Sequence, residues 1–206
     1  MIRASAEAAG ARLQFIRQPL GPEWPLALAG NHQRWNAALA FAALIESGMR
    51  PEPRVIRGAF EKVEWPARFQ RAEDRIVIDG AHNPHAAAQL AATWREEFGG
   101  EKAVLILGIL ADKDASGVVA ALLPIAARII CVLVRNPRAL PPSELAASVR
   151  AQAPAIPVSI AETLSGALAE ARADSERILI AGSLFLAGEA LVRLGLAAGE
   201  HEWSAQ

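Results

Sequence analysis

From residue 74 onward the chain alternates short apolar runs with segments of helical spacing, and this alternation constrains the fold more than any other feature. The predicted strands are Arg75–Ile78, Ala103–Leu107, Ile129–Val134, Val158–Ile160 and Ile178–Ala181. The predicted helices are Pro84–Phe98, Ala115–Leu123, Pro142–Gln152, Thr163–Ala171 and Leu184–Leu194. Strand–helix alternation predicts an α/β fold with a mainly parallel sheet and helices on both faces.

The residues before position 74 follow a different pattern. The segments RLQFI and PLALAG are short strand candidates, NHQRWNAALAFAALIESG predicts a helix that ends near Gly48, and PEPRVIRGAFEKVEW predicts a shorter helix. These pieces form no complete layered unit. We therefore interpret them as the end of another domain, joined to the following one near Pro66–Asp74.

Composition narrows the class of protein. Of the 206 residues, 52% are hydrophobic and 21% are charged, and the formal net charge is −1, so nothing suggests a nucleic-acid or membrane surface. No apolar stretch reaches the roughly 18–20 residues of a membrane span. The single cysteine, Cys131, lies in an apolar run, which predicts a buried residue and excludes a disulfide framework. We expect a soluble cytoplasmic protein.

Polar side chains follow three of the predicted strands. They are Asp79 and His82 after the first strand, Asp112, Lys113 and Asp114 after the second, and Ser183 after the last. In an open parallel sheet, ligands bind beyond the carboxyl ends of the strands. Backbone N–H groups at the Gly182–Ser183 turn, together with Lys113, could bind a carboxylate or a phosphate.

Each of these residues also has a purely structural interpretation, and the residues alone leave both open. Asp79 can cap its turn, Asn83 and Ser183 can cap the helices that follow them, and His82 and Lys113 can be solvated surface residues. The sequence has no Cys pair or His-x-x-x-His spacing typical of a metal site. It also lacks a G-x-S-x-G elbow and a G-x-x-x-x-G-K-[ST] loop.

Five motifs, taken in order, resemble one family: GNHQRWNAALA, WPARFQ, IDGAHNPHAA, LGILADKD and IAGSLFLAGE. They are similar to those of the folylpolyglutamate synthase/dihydrofolate synthase family, within the superfamily of the muramyl amino-acid ligases. The resemblance implies a Rossmann-like C-terminal ligase domain at 71–206, preceded at 1–70 by the remnant of a central ATP-binding domain. It also implies activation of a carboxylate by ATP as an acyl phosphate, which the amine of glutamate then attacks.

The resemblance implies roles for residues that match the family motifs. Gln33 and Asn36 match the motif that binds adenine, and Arg68 matches an arginine that reaches ATP phosphate. Asp79 matches the aspartate that binds the ribose and helps to set the domain hinge, and His82 is expected beside the nucleotide. On this resemblance, the substrates are ATP, L-glutamate and a folate or dihydropteroate, with Mg²⁺ ligands expected upstream.

Lys113 and Ser183 match positions that bind the carboxylate of the incoming amino acid in related ligases. Two residues depart from the family: Ala67 replaces a usual glycine and Phe185 a common tyrosine. The missing phosphate loop predicts that the chain alone is inactive. Three alternatives stay open. The chain could be a non-catalytic nucleotide- or small-acid-binding module, or a subunit that pairs with a separate P-loop chain, possibly the missing N-terminal ATPase part. It could also be a fragment of a muramyl-type ligase, which the D-G-A-H-N-P and D-K-D combination disfavours.

Overall fold

The computed structural model describes residues 2–197, which divide into two compact units. The first unit comprises Met1–Ala27 and Asn31–Val63, and the second comprises Leu28–Gly30 and Glu64–Gln206. The placement of the domain boundary at residue 70 stays a prediction. Residue 1 and residues 198–206 of the predicted domains lie outside the described part of the chain.

The described residues of the first unit form three helices and no strand. The helices are α1 (Ile2–Ala8), α2 (Asn31–Glu46) and α3 (Pro53–Lys62). The two helices predicted for this region are present as α2 and α3, whereas α1 was not predicted. The ring of Trp24 packs against Phe41 and Phe60, at 5.5 and 6.1 Å between ring centroids. This aromatic cluster joins the two longer helices to the segment between α1 and α2.

The strand predictions for RLQFI (Arg12–Ile16) and PLALAG (Pro25–Gly30) are wrong. A strand needs a neighbouring strand to complete its backbone hydrogen bonds, and the described residues of this unit offer none. The backbone between the two segments bonds to α2 instead. The N–H of Leu20 donates to the Arg34 carbonyl at 3.2 Å, and the Arg34 guanidinium donates to the carbonyl of Gly21 at 2.6 Å.

The second unit is the predicted α/β fold. Its strands are β1 (Gln70–Glu73), β2 (Ile76–Ile78), β3 (Ala103–Leu107), β4 (Ala126–Val132), β5 (Val158–Ala161) and β6 (Arg177–Ala181). Its helices are α4 (Pro84–Phe98), α5 (Ala115–Leu122), α6 (Pro142–Gln152), α7 (Leu164–Ala171) and α8 (Leu184–Arg193), with a short 3-10 turn at Leu123–Ile125. The mainly parallel sheet is confirmed, because β1 alone is antiparallel to its neighbour.

The sheet has the strand order β1-β2-β6-β3-β4-β5. Successive residues of a strand point to opposite faces, so each central strand feeds two cores. Val77 and Leu105 pack on the side of α4, α5 and α6, whereas Ile78 and Ile106 pack on the side of α7 and α8. Burial on both faces explains why these strands read as continuous apolar runs.

β6 is last in the chain but lies between β2 and β3. The turns that follow these three strands therefore meet at one end of the sheet, which we call the carboxyl edge: residues 79–83, 108–114 and 182–183. This is the position at which open parallel sheets bind ligands. Along residues 2–197, no helix combines the length and the apolar character needed to cross a bilayer.

Candidate functional site at the carboxyl edge

Asp79 directly follows β2, and its carboxylate accepts hydrogen bonds from two separate stretches of backbone. One oxygen accepts the N–H of Ala81 at 2.8 Å, and the other accepts the N–H of Phe69, also at 2.8 Å. The first bond fixes the start of the β2–α4 turn, and the second fastens the segment before β1. Each carboxylate oxygen has capacity for a further bond. The capping interpretation of Asp79 is therefore correct, and a ligand contact by the same carboxylate stays a prediction.

Burial raises the pKa of the Asp79 carboxyl, although the N–H groups of Phe69 and Ala81 and the charge of Arg68 favour its ionised form. Desolvation disfavours a carboxylate, whereas hydrogen bonds and a nearby cation stabilise it. A partly buried acid held in this way is typical of functional sites as well as of structural networks.

Arg68 lies in a turn with unusual backbone geometry. Its two neighbours, Ala67 and Phe69, have positive φ values of 55° and 48°. The N–H of Gly80 donates to the Ala67 carbonyl at 2.8 Å, and the N–H of Ala67 donates to Gln70 Oε1 at 2.9 Å. The left-handed conformation at position 67 is the one that glycine adopts without a steric penalty. Glycine, which the resemblance leads us to expect at position 67, would adopt this conformation without strain.

His82 and Asn83 have different surroundings within the same turn. Nδ1 of His82 lies 2.9 Å from the Gly80 carbonyl, and since a carbonyl can only accept, Nδ1 carries the proton. Nε2 is then the nitrogen left to interact with a ligand. Asn83 accepts the N–H of Ala86 at 2.9 Å and caps α4, with Pro84 at the first helical position. Asn83 is thus the structural cap that the sequence predicts.

Three glycines let the turns of the carboxyl edge approach one another. A Cβ atom at Gly80 would lie 2.4 Å from Leu184 Cδ2, and one at Gly182 would lie 2.7 Å from the Gly108 carbonyl oxygen. A Cβ at Gly108 would lie 2.9 Å from the Val132 carbonyl oxygen. Gly182 also has a φ of 103° and donates its N–H to the Ala81 carbonyl at 2.9 Å. The β6–α8 turn is therefore packed against both of the other turns.

Ser183 and Lys113, the two residues predicted to bind the amino acid, lie on these adjoining turns. Ser183 is buried, and its hydroxyl caps α8 by accepting the N–H of Phe185 at 3.1 Å. Lys113 is partly exposed, and its Nζ lies 3.1 Å from Asp112 Oδ2. The hydrogen bond from Lys113 lowers the pKa of the Asp112 carboxyl. Asp114 caps α5 by accepting the N–H of Gly117 at 2.8 Å.

Gln33 and Asn36 belong to the first unit and lie on α2. Asn36 Nδ2 donates to Gln33 Oε1 at 2.9 Å, Gln33 is buried, and Asn36 is exposed. The bond fixes the orientation of both amides. Their predicted role at adenine stays a prediction, as do those of the five residues on the second unit.

Sequence reasoning missed one residue that contacts the carboxyl edge, Arg138. Arg138 lies on the loop that follows β4, and its guanidinium is 3.4 Å from Asp112 Oδ2. The sequence offers little warning, because RNPRAL looks like an ordinary polar loop and nothing in it announces a partner 26 residues away.

Comparison with known proteins defines the class. The family described as "Mur ligase, glutamate ligase domain" matches residues 67–184, which include all six strands of the sheet and all of the carboxyl edge. A folylpolyglutamate synthase of Mycobacterium tuberculosis, solved with ADP and AMPPCP, superposes with a TM-score of 0.85 at 29% identity and covers 96% of this chain. The second unit therefore has the fold of the glutamate ligase domain of Mur ligases.

Proteins that are similar to this chain in sequence belong to the same class as the structural relative. A probable bifunctional folylpolyglutamate synthase/dihydropteroate synthase of Halobacterium salinarum is 33% identical over 84% of this chain and 22% of that protein. A dihydrofolate synthase/folylpolyglutamate synthase of Mycobacterium tuberculosis is 37% identical over 59% of this chain and 26% of that protein. The chain belongs to the folylpolyglutamate synthase/dihydrofolate synthase family of Mur ligases, which are ATP-dependent. It spans about half, 53%, of the solved relative.

Proposed function

We propose that the chain is the C-terminal portion of a ligase that uses ATP to add L-glutamate to a folate, or to dihydropteroate, through an acyl-phosphate intermediate. The observation that carries this proposal is the carboxyl edge, where three packed turns present Asp79, Lys113 and Ser183 on a fold shared with a synthase solved with ADP and AMPPCP. A cytoplasmic location stays a prediction from the sequence.

The proposed reaction has two steps, and one set of residues binds the amino acid while another contacts the nucleotide. ATP transfers its terminal phosphoryl group to a carboxylate of the folate substrate, which becomes an acyl phosphate while ADP leaves. The glutamate amine then attacks the acyl carbon. The new C–N bond replaces the C–O bond to phosphate, inorganic phosphate leaves, and the amine loses a proton. In this scheme Lys113 and Ser183 bind the glutamate carboxylate, while Arg68, Asp79 and His82 contact the nucleotide.

Gln33 and Asn36 are proposed to contribute the adenine contacts of the first unit. Side-chain amides suit that role, since one amide group both donates and accepts hydrogen bonds at the adenine edge.

We expect the phosphate loop and the metal ligands in the part of the relatives that this chain does not span. The sequence contains no G-x-x-x-x-G-K-[ST] loop. Within residues 2–197, no group of three or more His, Cys, Asp or Glu side chains could hold a metal ion. The Mg²⁺ expected from the resemblance therefore has no set of ligands among the described residues.

A chimera tests the proposal. The chain replaces the corresponding C-terminal half of the Mycobacterium tuberculosis synthase, and ATP-dependent transfer of radiolabelled L-glutamate to folate and to dihydropteroate is measured. We expect transfer by the chimera and none by the chain alone. A chimera that folds and binds ADP but transfers glutamate to neither acceptor, beside an active parent enzyme, would contradict the proposed function. Transfer by the chain alone would refute its predicted inactivity.

A further inference from the structure

Arg68 lies between two residues with left-handed backbone geometry. Ala67 and Phe69 are both buried, and their φ values are 55° and 48°. A residue other than glycine keeps this conformation only where the surrounding structure imposes it. Strain of this kind concentrates at ligand-binding sites, which makes the residue that this turn presents, Arg68, a candidate for a functional contact.

Three hydrogen bonds hold the backbone of this turn. Asp79 Oδ2 accepts the N–H of Phe69 at 2.8 Å, and the Ala67 carbonyl accepts the N–H of Gly80, also at 2.8 Å. Both of these bonds come from the turn that follows β2. The third comes from a side chain, because Gln70 Oε1 accepts the N–H of Ala67 at 2.9 Å.

Strand pairing places Gln70 where it can make this third bond. Gln70 is the first residue of the edge strand β1, and its backbone pairs with Ile78 of β2 in antiparallel register. Its side chain is only partly exposed and reaches back three residues to Ala67. A single side chain thus closes the turn that contains Arg68.

The direction in which the Arg68 side chain leaves the backbone depends on this turn, because φ and ψ set the direction of each Cα–Cβ bond. Arg68 is partly exposed, and its charge favours the ionised form of the neighbouring Asp79 carboxyl, whose pKa is raised by burial. A partly exposed guanidinium keeps donors for a ligand. Phosphate is an anion that its planar fork matches with two parallel hydrogen bonds.

We propose that Gln70 is a positioning residue: by accepting the Ala67 N–H, it holds the left-handed turn that directs Arg68 at a phosphate of the nucleotide. This inference deepens the proposed function and rests on its assignment of Arg68 to the nucleotide. Without this acceptor, Ala67 can relax to a conformation that alanine prefers, and Arg68 then points elsewhere. Fewer molecules are competent to bind phosphate, and the apparent affinity falls by that fraction.

The test compares ADP with adenosine, which has the same base and ribose but no phosphate. NMR titration of the whole chain gives both dissociation constants for the unaltered chain, Arg68→Ala, Gln70→Ala and the double variant. We expect Arg68→Ala to weaken ADP binding by roughly tenfold or more, the effect of one charged hydrogen bond. Gln70→Ala should weaken it by about threefold or more. Neither substitution should change adenosine binding, and the double variant should bind ADP no more weakly than Arg68→Ala, because Gln70 acts through Arg68.

Two further variants separate positioning from a general effect on the fold. Gln70→Glu keeps a side-chain oxygen that can accept the Ala67 N–H, so it should retain most of the ADP affinity. Gln152→Ala is the matched control, since the Gln152 amide donates to Ser116 and Ser148 on other elements of the second unit. It should bind ADP and adenosine as the unaltered chain does. Hydrogen exchange of the Ala67 amide should accelerate in Gln70→Ala and slow again in Gln70→Glu.

Several outcomes would overturn the inference. If Gln70→Ala lowers the thermal midpoint but binds ADP as the unaltered chain does, Gln70 serves only the fold. Equal losses of ADP and adenosine affinity in this variant would exclude an effect through the phosphate. If Arg68→Ala binds ADP normally, or the unaltered chain binds no ADP, the phosphate contact of Arg68 fails and the inference fails with it. The chimera's glutamate transfer tests the proposed function separately from all of these outcomes.

Discussion

The two units differ in how far their apolar side chains are covered. In the second unit, the central strands β3 and β6 are almost entirely buried, and helices cover the sheet on both faces. The first unit has a helix, α2, with only three buried residues. Among the described residues each unit exposes six large apolar side chains, but the first unit is less than half as long as the second; its six are Ile2, Phe15, Trp35, Leu39, Met49 and Val55.

This difference shows what a sequence pattern needs in order to predict structure. A buried strand and its covering helix are both encoded within the second unit, so local pattern and tertiary packing agree. The first unit has apolar helices without a complete set of neighbours among its own residues. An open cavity of about 590 Å³, lined by residues such as Phe41, Leu44 and Phe60, lies within this unit. Its apolar pattern is therefore a poorer guide to the structure.

Tryptophan-to-alanine substitution in each unit gives the largest expected contrast. Trp94 on α4 is fully buried, packs on Phe69 and Phe98, and donates its indole N–H to the Glu101 carbonyl at 2.9 Å. We expect Trp94→Ala to cost about 3–5 kcal/mol of unfolding free energy. Trp35 on α2 is 45% exposed, and Trp35→Ala should cost less than about 1 kcal/mol. Urea unfolding followed by circular dichroism measures both, and equal losses would contradict the comparison.

Asp79→Ala gives the next largest effect and acts on stability and activity together. The variant removes the acceptor of two backbone N–H groups, and each buried donor left unsatisfied lowers the free energy of unfolding by about 1–3 kcal/mol. The loss of the partly buried carboxylate charge offsets some of this cost. In the chimera we additionally expect turnover to fall by roughly ten- to a hundred-fold if the carboxylate contacts the nucleotide. A lower thermal midpoint with normal turnover per folded molecule would leave only the capping role.

The pH dependence of the unfolding free energy, compared between the unaltered chain and Asp79→Ala, provides a separate check. Burial raises the pKa of Asp79 in the folded state, so the folded chain binds a proton that the unfolded chain releases. The contribution of Asp79 to stability should therefore increase as pH falls through the raised pKa towards the ordinary value of 3.8. The difference in unfolding free energy between the unaltered chain and Asp79→Ala should grow with acidification. A difference that shrinks over this range would contradict the raised pKa.

Ala67→Gly has the smallest expected effect on stability, and unlike the other substitutions it should stabilise the protein. Ala67 has a φ of 55°, a conformation that costs an alanine roughly 1–2 kcal/mol and costs glycine little. Glycine loses more freedom on folding, so we expect a net gain of about 0.5–1 kcal/mol. Ala88→Gly, at an exposed position within α4, is the matched control and should instead cost about 1 kcal/mol. Destabilisation by both changes would contradict strain at position 67.

Much of the second unit could be predicted because its signals are local. The bounds of α4 are those predicted, since Asn83 caps its start, Pro84 suits its first turn and the chain leaves the helix at Gly99 with a φ of 61°. The strand predicted at Ile129–Val134 was displaced: β4 runs from Ala126 to Val132, because the register with β3 begins at Ala126. Strand ends depend on the partner strand, which the local pattern does not contain.

Other features could not be predicted because they depend on tertiary contacts. The strand β1 reads QRAE and has no apolar alternation; it forms because it pairs with β2. Asp79 accepts a hydrogen bond from the N–H of Phe69, ten residues earlier, and Arg138 forms an ion pair with Asp112, which lies on a different loop. Cys131 is buried as predicted, and burial raises its thiol pKa to about 11. The composition of an apolar run is sufficient to predict burial, whereas pairing between loops requires the fold.

The central claim is that the carboxyl edge of the second unit binds ligands, whereas its buried strands maintain the fold. Lys113→Ala tests it most directly, with the thermal midpoint and the KM for L-glutamate measured on the same chimera. Since Lys113 is partly exposed and its described ion pair is with the exposed Asp112, we expect an unchanged midpoint and a KM raised by about tenfold or more, with kcat much less affected. A lowered midpoint with an unchanged KM would show that Lys113 serves the fold and would contradict the claim.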